Sequence, residues 1–183
     1  MKIIDYIKAQ IALIPEVAYI FALIALCVCA GFIMTNKGRK YSRKVLLDVF
    51  LLEYVIMILG ATVFFRKASY QSGYNLTPFW SYQGKYYRDE LFLPETIMNI
   101  GMFIPIGFFV CMVIKSNNWW KTMLIGATIS SSIEILQFTF KKGFSELDDV
   151  FHNTVGCMVG IVLYRLMIKL INIMNYKQAK YEK

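Results

Sequence analysis

The sequence has 183 residues, of which 57% are hydrophobic, and its formal net charge is +8. The apolar fraction and a mean hydropathy of +0.50 exclude an ordinary soluble domain. The basic residues lie in the short segments between apolar blocks, where membrane topology and anionic lipids explain them better than nucleic acid does. The composition therefore predicts an integral membrane protein that does not bind nucleic acid.

Five apolar blocks are each about as long as the roughly 20 residues that cross a hydrocarbon core. They cover residues 16–34, 45–65, 93–114, 120–140 and 150–172. The predicted fold is all-α, a polytopic bundle of about five transmembrane helices over residues 16–172, with no room for a soluble catalytic domain. The first block is longer than the apolar core of a signal peptide and no clear cleavage site follows it, so we expect it to be retained.

Short polar segments flank this bundle. Isoleucines at helical spacing in residues 1–15 predict an amphipathic helix on the membrane surface, and residues 173–183 form a basic tail. The tail and the first and third loops carry an excess of Lys and Arg, which the positive-inside rule assigns to the cytoplasm. We therefore expect the N-terminus outside the cell and the C-terminus inside.

Polar side chains of the bundle gather near one membrane face, the outer face under this topology. At about 1.5 Å of rise per residue, separate helices bring them to one level. Because a carboxylate in hydrocarbon is costly, these groups should face the bundle interior, a partner charge or water, which favours a pocket open to the outside. The residues predicted to bind a ligand there are Arg66, Glu95, Asn99, Glu134, Gln137, Asp148, Asp149 and Asn153.

Helix capping and packing are the structural alternatives for part of this set. Glu95 follows a proline at a helix start, and Ser145 with Asp148 resembles a capping box, so Asp148 or Asp149 could cap a helix. Asn and Gln in membrane spans often only join helices by hydrogen bonds. The same residues therefore have two open interpretations, as caps and contacts or as ligand-binding groups.

Glu134 is the residue that capping explains least, because it lies about six residues inside its apolar block. Arg66 is its candidate counter-ion. Glu53 is similarly deep but lies toward the predicted cytoplasmic side, and we assign it no role. His152 is the single histidine. A histidine beside a helix start is expected on a polar surface, although it could also shuttle a proton.

The long second loop contains candidates for a lid over the predicted pocket, namely Asn75, Pro78, Phe79 and Trp80. The alternative is that its aromatic residues form a belt at the level of the lipid headgroups. The four cysteines all fall in apolar blocks, where we expect them to act as small packing residues. We predict no metal site and no cofactor.

An ordered set of short motifs runs from about residue 66 to residue 164 and resembles the VanZ-like family. The residues that carry the resemblance are Asn75, Pro78 and Phe79, then Asn99, Gly101, Phe103, Pro105 and Gly107, then Glu134 and Gln137, then Asp148, Asp149, Asn153, Gly156 and Gly160. Members often have an arginine shortly before the aspartate pair, where this chain has Lys141, Lys142 and Gly143.

The resemblance implies a bacterial cell-membrane protein linked to lowered susceptibility to teicoplanin, a glycopeptide that binds cell-wall precursors outside the membrane. The first hypothesis is a binding or shielding protein. Its outer pocket and aromatic loop would engage a lipid-linked wall precursor or the lipid tail of the antibiotic, with membrane lipids as its other partners. No catalytic residues follow from the resemblance.

Two other classes of function stay open. In a membrane enzyme, Glu134, Asp148 and Asp149 could bind a divalent cation or act as acid and base on a phosphate-linked lipid. The lack of a nucleophile elbow, an HExxH motif or a phosphate loop disfavours this reading. A small transporter ranks last, because the polar residues lie near one face rather than at the midplane and no inverted repeat is present.

Overall fold

The computed structural model of the chain describes residue 4 and residues 39–67, 72–83, 92–114 and 118–181. Most of these residues are helical, so the predicted all-α class is confirmed. The helices are α1 (Arg39–Leu59), α2 (Phe92–Ile114), α3 (Trp119–Thr139) and α4 (Leu147–Tyr181). Shorter elements are a π-helical turn after α1 (Gly60–Phe64), the strands β1 (Gly73–Asn75) and β2 (Phe144–Glu146), and a 3-10 turn (Trp80–Tyr82).

Three helical segments in the described residues are long and apolar enough to cross a membrane: Lys44–Phe64, Phe92–Ile114 and Leu147–Gln178. They coincide with three of the five predicted blocks. Helix α3 matches the block at 120–140 but contains more polar residues and is not among the three. The block at 16–34 and the segment 1–15, apart from the exposed helical Ile4, lie outside the described residues, so the count of five stays a prediction.

Helices α2 and α4 cross with their backbones in direct contact. A Cβ built on Gly156 would lie 2.1 Å from the carbonyl oxygen of Ile100, and one on Gly160 would lie 2.1 Å from that of Ile104. Gly107 of α2 approaches the backbone of α4 equally closely. Since these contacts follow the same order along both helices, α2 and α4 run parallel. Gly156 and Gly160, spaced as a small-xxx-small pair, thus form a helix-packing contact.

Helix α3 packs antiparallel against α4, where Asn153 bonds to Ser130 at one level and Cys157 faces Gly126 about one turn further along α4. Helix α1 joins α2 and α3 around an apolar core of Ile58, Val63, Phe103, Ile106, Val110 and Ile133. This arrangement places the C-terminal ends of α1 and α3 beside the N-terminal ends of α2 and α4. Polar residues that are far apart in the chain therefore share one end of the bundle.

A short parallel bridge joins two loops at this end. Strands β1 and β2 pair in the register Gly73–Phe144, Tyr74–Ser145 and Asn75–Glu146. The bridge ties the segment after α1 to the segment between α3 and α4. The sequence analysis predicted no strands here, because three residues are too few for an alternating pattern to be recognised.

Candidate functional site

Six side chains from five parts of the chain meet at this end of the bundle and form what we call the polar cluster: Arg66, Glu95, Asn99, Glu134, Glu146 and Asp149. Asn99 on α2 donates from Nδ2 to Oδ1 of Asp149 on α4 over 2.6 Å. Glu134 on α3 accepts the backbone N–H of Glu146 at Oε2 over 3.0 Å. These bonds connect α2 to α4 and α3 to β2.

Negative charge dominates the polar cluster. Asp149 is repelled by Glu95 and itself repels Glu134 and Glu146. Arg66 attracts both Glu134 and Asp149, so the predicted counter-ion of Glu134 serves two carboxylates. Arg66 is a nearby positive charge for only two of the four carboxyl groups, so the polar cluster keeps an excess of negative charge unless some of them take up protons or a cation.

Gly143 makes room for the Arg66 side chain. Its φ of +143° favours glycine, and a Cβ built on it would lie 3.2 Å from Nη2 of Arg66. The neighbouring Lys142 donates from Nζ to the backbone carbonyl of Arg66 over 2.6 Å. Held in this way, Arg66 lies near enough to Asp149 to attract its carboxyl group, although the two residues are far apart in the sequence.

Glu146 lies in β2, outside the helical segments that could span a membrane, and the pKa of its carboxyl is shifted toward neutral pH. Burial raises its pKa to about 7, and the charges of Asp149, Glu95 and Asp148 add to the rise, while the nearby indole of Trp80 opposes it. A carboxyl with this pKa can gain or lose a proton at physiological pH. Glu146 was not among the residues predicted from the sequence, because it lies in the segment between α3 and α4, whereas the predicted residues were selected by their depth in the apolar blocks.

The Asp148 carboxylate accepts hydrogen bonds from the second loop rather than from the start of its own helix. Its Oδ1 accepts the backbone N–H of Phe79 over 2.6 Å, and its Oδ2 accepts the backbone N–H of Ser81 over 2.9 Å and also the Ser81 hydroxyl. Phe79 has a φ of +58°, a left-handed conformation that a bulky residue adopts only when its surroundings fix it. Asp148, only 2% exposed, supplies that fixation.

A second contact ties the same loop to α4. The hydroxyl of Tyr82 lies 2.6 Å from Nε2 of His152, and the Phe79 ring meets Phe151 edge-on with centroids 5.1 Å apart. His152 is 3% exposed, so its expected place on a polar surface is wrong. The expectation failed because the loop that covers this helix start lies about 70 residues earlier in the chain.

Two buried amides flank the polar cluster and keep unused acceptors. Asn153 donates to the hydroxyl of Ser130 over 2.8 Å, and Gln137 donates to the carbonyl of Thr62 in the π-helical turn over 3.3 Å. Within the described residues, Oδ1 of Asn153 and Oε1 of Gln137 have no hydrogen-bond partner. A buried polar atom without a partner costs about 1–3 kcal/mol, so both oxygens can gain from a donor.

The structure places the eight predicted ligand-binding residues at one end of the bundle in three arrangements. Five of them, Arg66, Glu95, Asn99, Glu134 and Asp149, belong to the polar cluster. Gln137 and Asn153 flank it, and Asp148 bonds to the loop. In the described part of the chain, Glu134, Asp149 and Asn153 make their hydrogen bonds to three different partners and not to one another.

The four predicted lid residues form two groups, two beside Glu146 and two exposed to the surroundings. Asn75 pairs with Glu146 through the β1–β2 bridge, and the Trp80 indole lies by the Glu146 carboxyl. Pro78 and Phe79 are exposed at the loop tip. Among the described residues, no three His, Cys, Asp or Glu side chains are grouped to hold a metal ion.

Comparison with known proteins connects this geometry to a family. A profile of the VanZ/LLP1 family matches residues 17–169, which include the polar cluster and the loop. Protein VanZ of Enterococcus faecium is 33% identical over 103 residues, covering 56% of this chain and 59% of VanZ. The match thus spans less than two thirds of that relative, and no solved structure is significantly similar. With its apolar helices and this family match, the chain is a membrane protein that belongs to the VanZ/LLP1 family.

Proposed function

We propose that this chain is a binding protein of the outer face of a bacterial cell membrane, and that it lowers susceptibility to teicoplanin-type glycopeptides. Its polar cluster would engage a lipid-linked cell-wall precursor or the antibiotic itself. The observation that carries the proposal is the excess of carboxylates at one end of the bundle. Burying like charges beside one another opposes folding, and packing alone does not require it.

The distribution of charge supports an outward-facing cluster, because the basic residues at the cluster end (Arg66, Lys67, Lys141 and Lys142) are accompanied by most of the acidic residues of the described chain. Lys44 near the start of α1, Lys121 at the start of α3, and Lys169 and Lys177 late in α4 all lie toward the opposite end of the bundle. By the positive-inside rule that end faces the cytoplasm. The polar cluster then faces the side where glycopeptides act.

The loop at the cluster end supports contact with a lipid-bearing ligand. Tyr74, Leu76 and Phe79 are 66%, 64% and 51% exposed, and Asp148 and the β1–β2 bridge hold the loop in place. A fixed loop with exposed apolar side chains suits an acyl chain or the membrane interface.

The proposal is tested in a susceptible host that expresses the intact chain or Glu134→Gln. The amide keeps an oxygen for the Glu146 N–H but removes the charge, so we expect teicoplanin susceptibility to return to that of a host without the gene. Glu53→Gln is the matched control, because Glu53 is a half-buried acid on α1 outside the polar cluster. Equal susceptibility of cells carrying the intact chain and Glu134→Gln, at equal membrane abundance, would remove the cluster from the function.

The orientation is tested separately with Gln83→Cys at the exposed end of the 3-10 turn. In intact cells an impermeant thiol reagent should label this cysteine. The parent chain, whose native cysteines lie in apolar blocks, is the control. Labelling that occurs only after lysis would place the polar cluster in the cytoplasm.

A membrane enzyme is the second candidate, and the pKa of Glu146, raised to about 7, favours it. A carboxyl that titrates near the working pH is suited to general acid–base catalysis on a lipid-linked envelope precursor. Chromatography of envelope lipids from cells with the intact chain, with Glu146→Gln and without the gene tests this candidate. An enzyme would change the amount of at least one precursor, and this change would depend on Glu146. Identical lipid profiles in the three strains would argue against catalysis.

A further inference from the structure

We propose that the polar cluster recognises a primary ammonium group of its ligand, and not a phosphate. This inference rests on the proposed function in taking the cluster as the ligand site, and it adds the chemical class of the group that enters. The inference follows from which hydrogen-bond donors and acceptors at the bundle end are already paired, together with the negative charge of the polar cluster.

The amide donors at this end are already directed at protein oxygens. Asn99 donates to Asp149, Gln137 to the Thr62 carbonyl, and Asn153 to the Ser130 hydroxyl. The backbone N–H of Glu146 is likewise taken by Glu134. An incoming acceptor group would have to break one of these bonds or compete with Glu134 and Asp149 for Arg66.

Two buried amide oxygens, in contrast, lack a donor in the described residues. Asn153 is 3% exposed and Gln137 is 4% exposed, and in the described residues each keeps a buried side-chain oxygen without a partner. Asn153 lies one helical turn below Asp149, and Ser130, to which it bonds, lies one turn below Glu134. Asn153 thus lies one helical turn beneath the two carboxylates.

A primary ammonium group fits these amide and carboxylate oxygens, because it has three donors, no acceptor and a positive charge. It would donate to the carboxylates of Glu134 and Asp149 and to the amide oxygen below them. It would also reduce the repulsion that Asp149 exerts on Glu134 and Glu146. A phosphate would meet the same carboxylates with the wrong sign of charge, and Arg66 is already attracted to two of them.

Thermal unfolding of the full chain in phosphatidylcholine nanodiscs tests the chemistry with four probes that share a decyl chain. Decylammonium should raise the unfolding temperature in a saturable manner. N-acetyldecylamine lacks the charge, decyltrimethylammonium lacks the donors, and decyl phosphate has the opposite charge, so each should give no saturable rise. A rise with decyltrimethylammonium equal to that with decylammonium, or a larger rise with decyl phosphate, would overturn the proposal.

Two variants and one further probe locate the effect. Glu134→Gln should weaken decylammonium binding at least about tenfold, since hydrogen bonds to charged groups are lost, and Glu53→Gln should leave it unchanged. Equal binding by both variants would overturn the assignment to the cluster. Calcium chloride that stabilises the chain and displaces decylammonium would show a metal-ion site instead.

The ammonium group could belong to a peptide or to a lipid headgroup. A soluble lysine-containing tripeptide and nanodiscs that contain phosphatidylethanolamine separate these sources, because the better competitor of decylammonium identifies the carrier. If Glu134→Gln abolishes protection from teicoplanin while decylammonium has no effect on the intact chain, the ammonium proposal fails and the proposed function stands. The reverse pair of results would refute the proposed function and keep the ammonium site.

Discussion

Helix α4 makes two very different contacts along its length. In its middle, Gly156 and Gly160 bring its backbone against α2 with no space for another atom. At its N-terminal end, Asp149 repels its neighbours and Asn153 keeps an acceptor without a partner in the described residues. The first contact is close-packed and satisfied, as expected of a stabilising interface. The second contact lowers the stability of the fold, which indicates that it serves a role other than folding.

The largest expected effect comes from closing the tight contact. In Gly156→Ala the new Cβ would stand 2.1 Å from the Ile100 carbonyl oxygen, so the helices must separate. We expect a loss of more than about 3 kcal/mol in the free energy of unfolding, at the upper end of overpacking effects. Thermal unfolding in detergent measures it.

Gly101→Ala is the matched control, because a Cβ on this α2 glycine meets nothing within 4 Å. Alanine there should be neutral or stabilise the helix by up to about 1 kcal/mol. Similar destabilisation by both variants would mean that α2 and α4 do not cross as described.

The next effect is expected where Asp148 holds the loop. In Asp148→Asn an NH₂ group replaces one of the two oxygens that accept from Phe79 and Ser81. A hydrogen bond to a charged group contributes about 1.5–3 kcal/mol, so we expect a loss of that size and faster proteolysis in residues 72–83. In a double-mutant cycle with Ser81→Ala, purely additive effects would contradict the bond between these side chains.

A smaller effect on the free energy of unfolding is expected from the protonation of Glu146, which lies outside the packed core. The pKa of Glu146 is raised from 4.5 to about 7, so the folded chain binds the proton more tightly than the unfolded chain. The contribution of Glu146 to the free energy of unfolding should therefore fall as pH rises from about 4.5 to about 7 and change little above that range. Glu146→Gln should make this fall shallower in unfolding scans at pH 5, 6, 7 and 8. An unchanged slope would show that Glu146 is not the group responsible.

The smallest effect lies at the exposed turn after α3. Lys141 has a φ of +53°, and the bond from the Lys142 N–H to the Gln137 carbonyl completes a Schellman motif. Asparagine tolerates this left-handed conformation better than lysine, so Lys141→Asn should stabilise the chain by less than about 1 kcal/mol. Lys142→Asn is no suitable control, since Lys142 also bonds to Arg66. Lys121→Asn, at the opposite end of α3, should give no stabilisation.

Much of this polar end was predictable from residue spacing and depth. The depth of the polar residues in their apolar blocks predicted that separate helices bring them to one level, and the bond from Asn99 on α2 to Asp149 on α4 agrees with this. These predictions succeeded because helical geometry fixes the height and direction of a side chain once the helix ends are known.

The rest depends on contacts between loops, which have no period to read. The pairing of Asn75 with Glu146, and the bonds of Asp148 to the loop, join residues about 70 apart. The capping interpretation assigned Asp148 to its own helix start, but the N–H groups of the loop reach it instead. The π-helical turn at Thr62 was also missed, because nothing in its five apolar and small residues distinguishes it from regular helix.

The glycine crossing also determines how this end of the bundle can move. Because Gly107, Gly156 and Gly160 leave no clearance, α2 and α4 cannot slide or separate without losing contact along the whole crossing. They form one rigid unit that carries Asn99 and Asp149 at a fixed spacing. Any widening at the polar end would therefore come from movement of α1 and α3. The contacts between these two helices include the 3.3 Å bond from Gln137 to the π-helical turn.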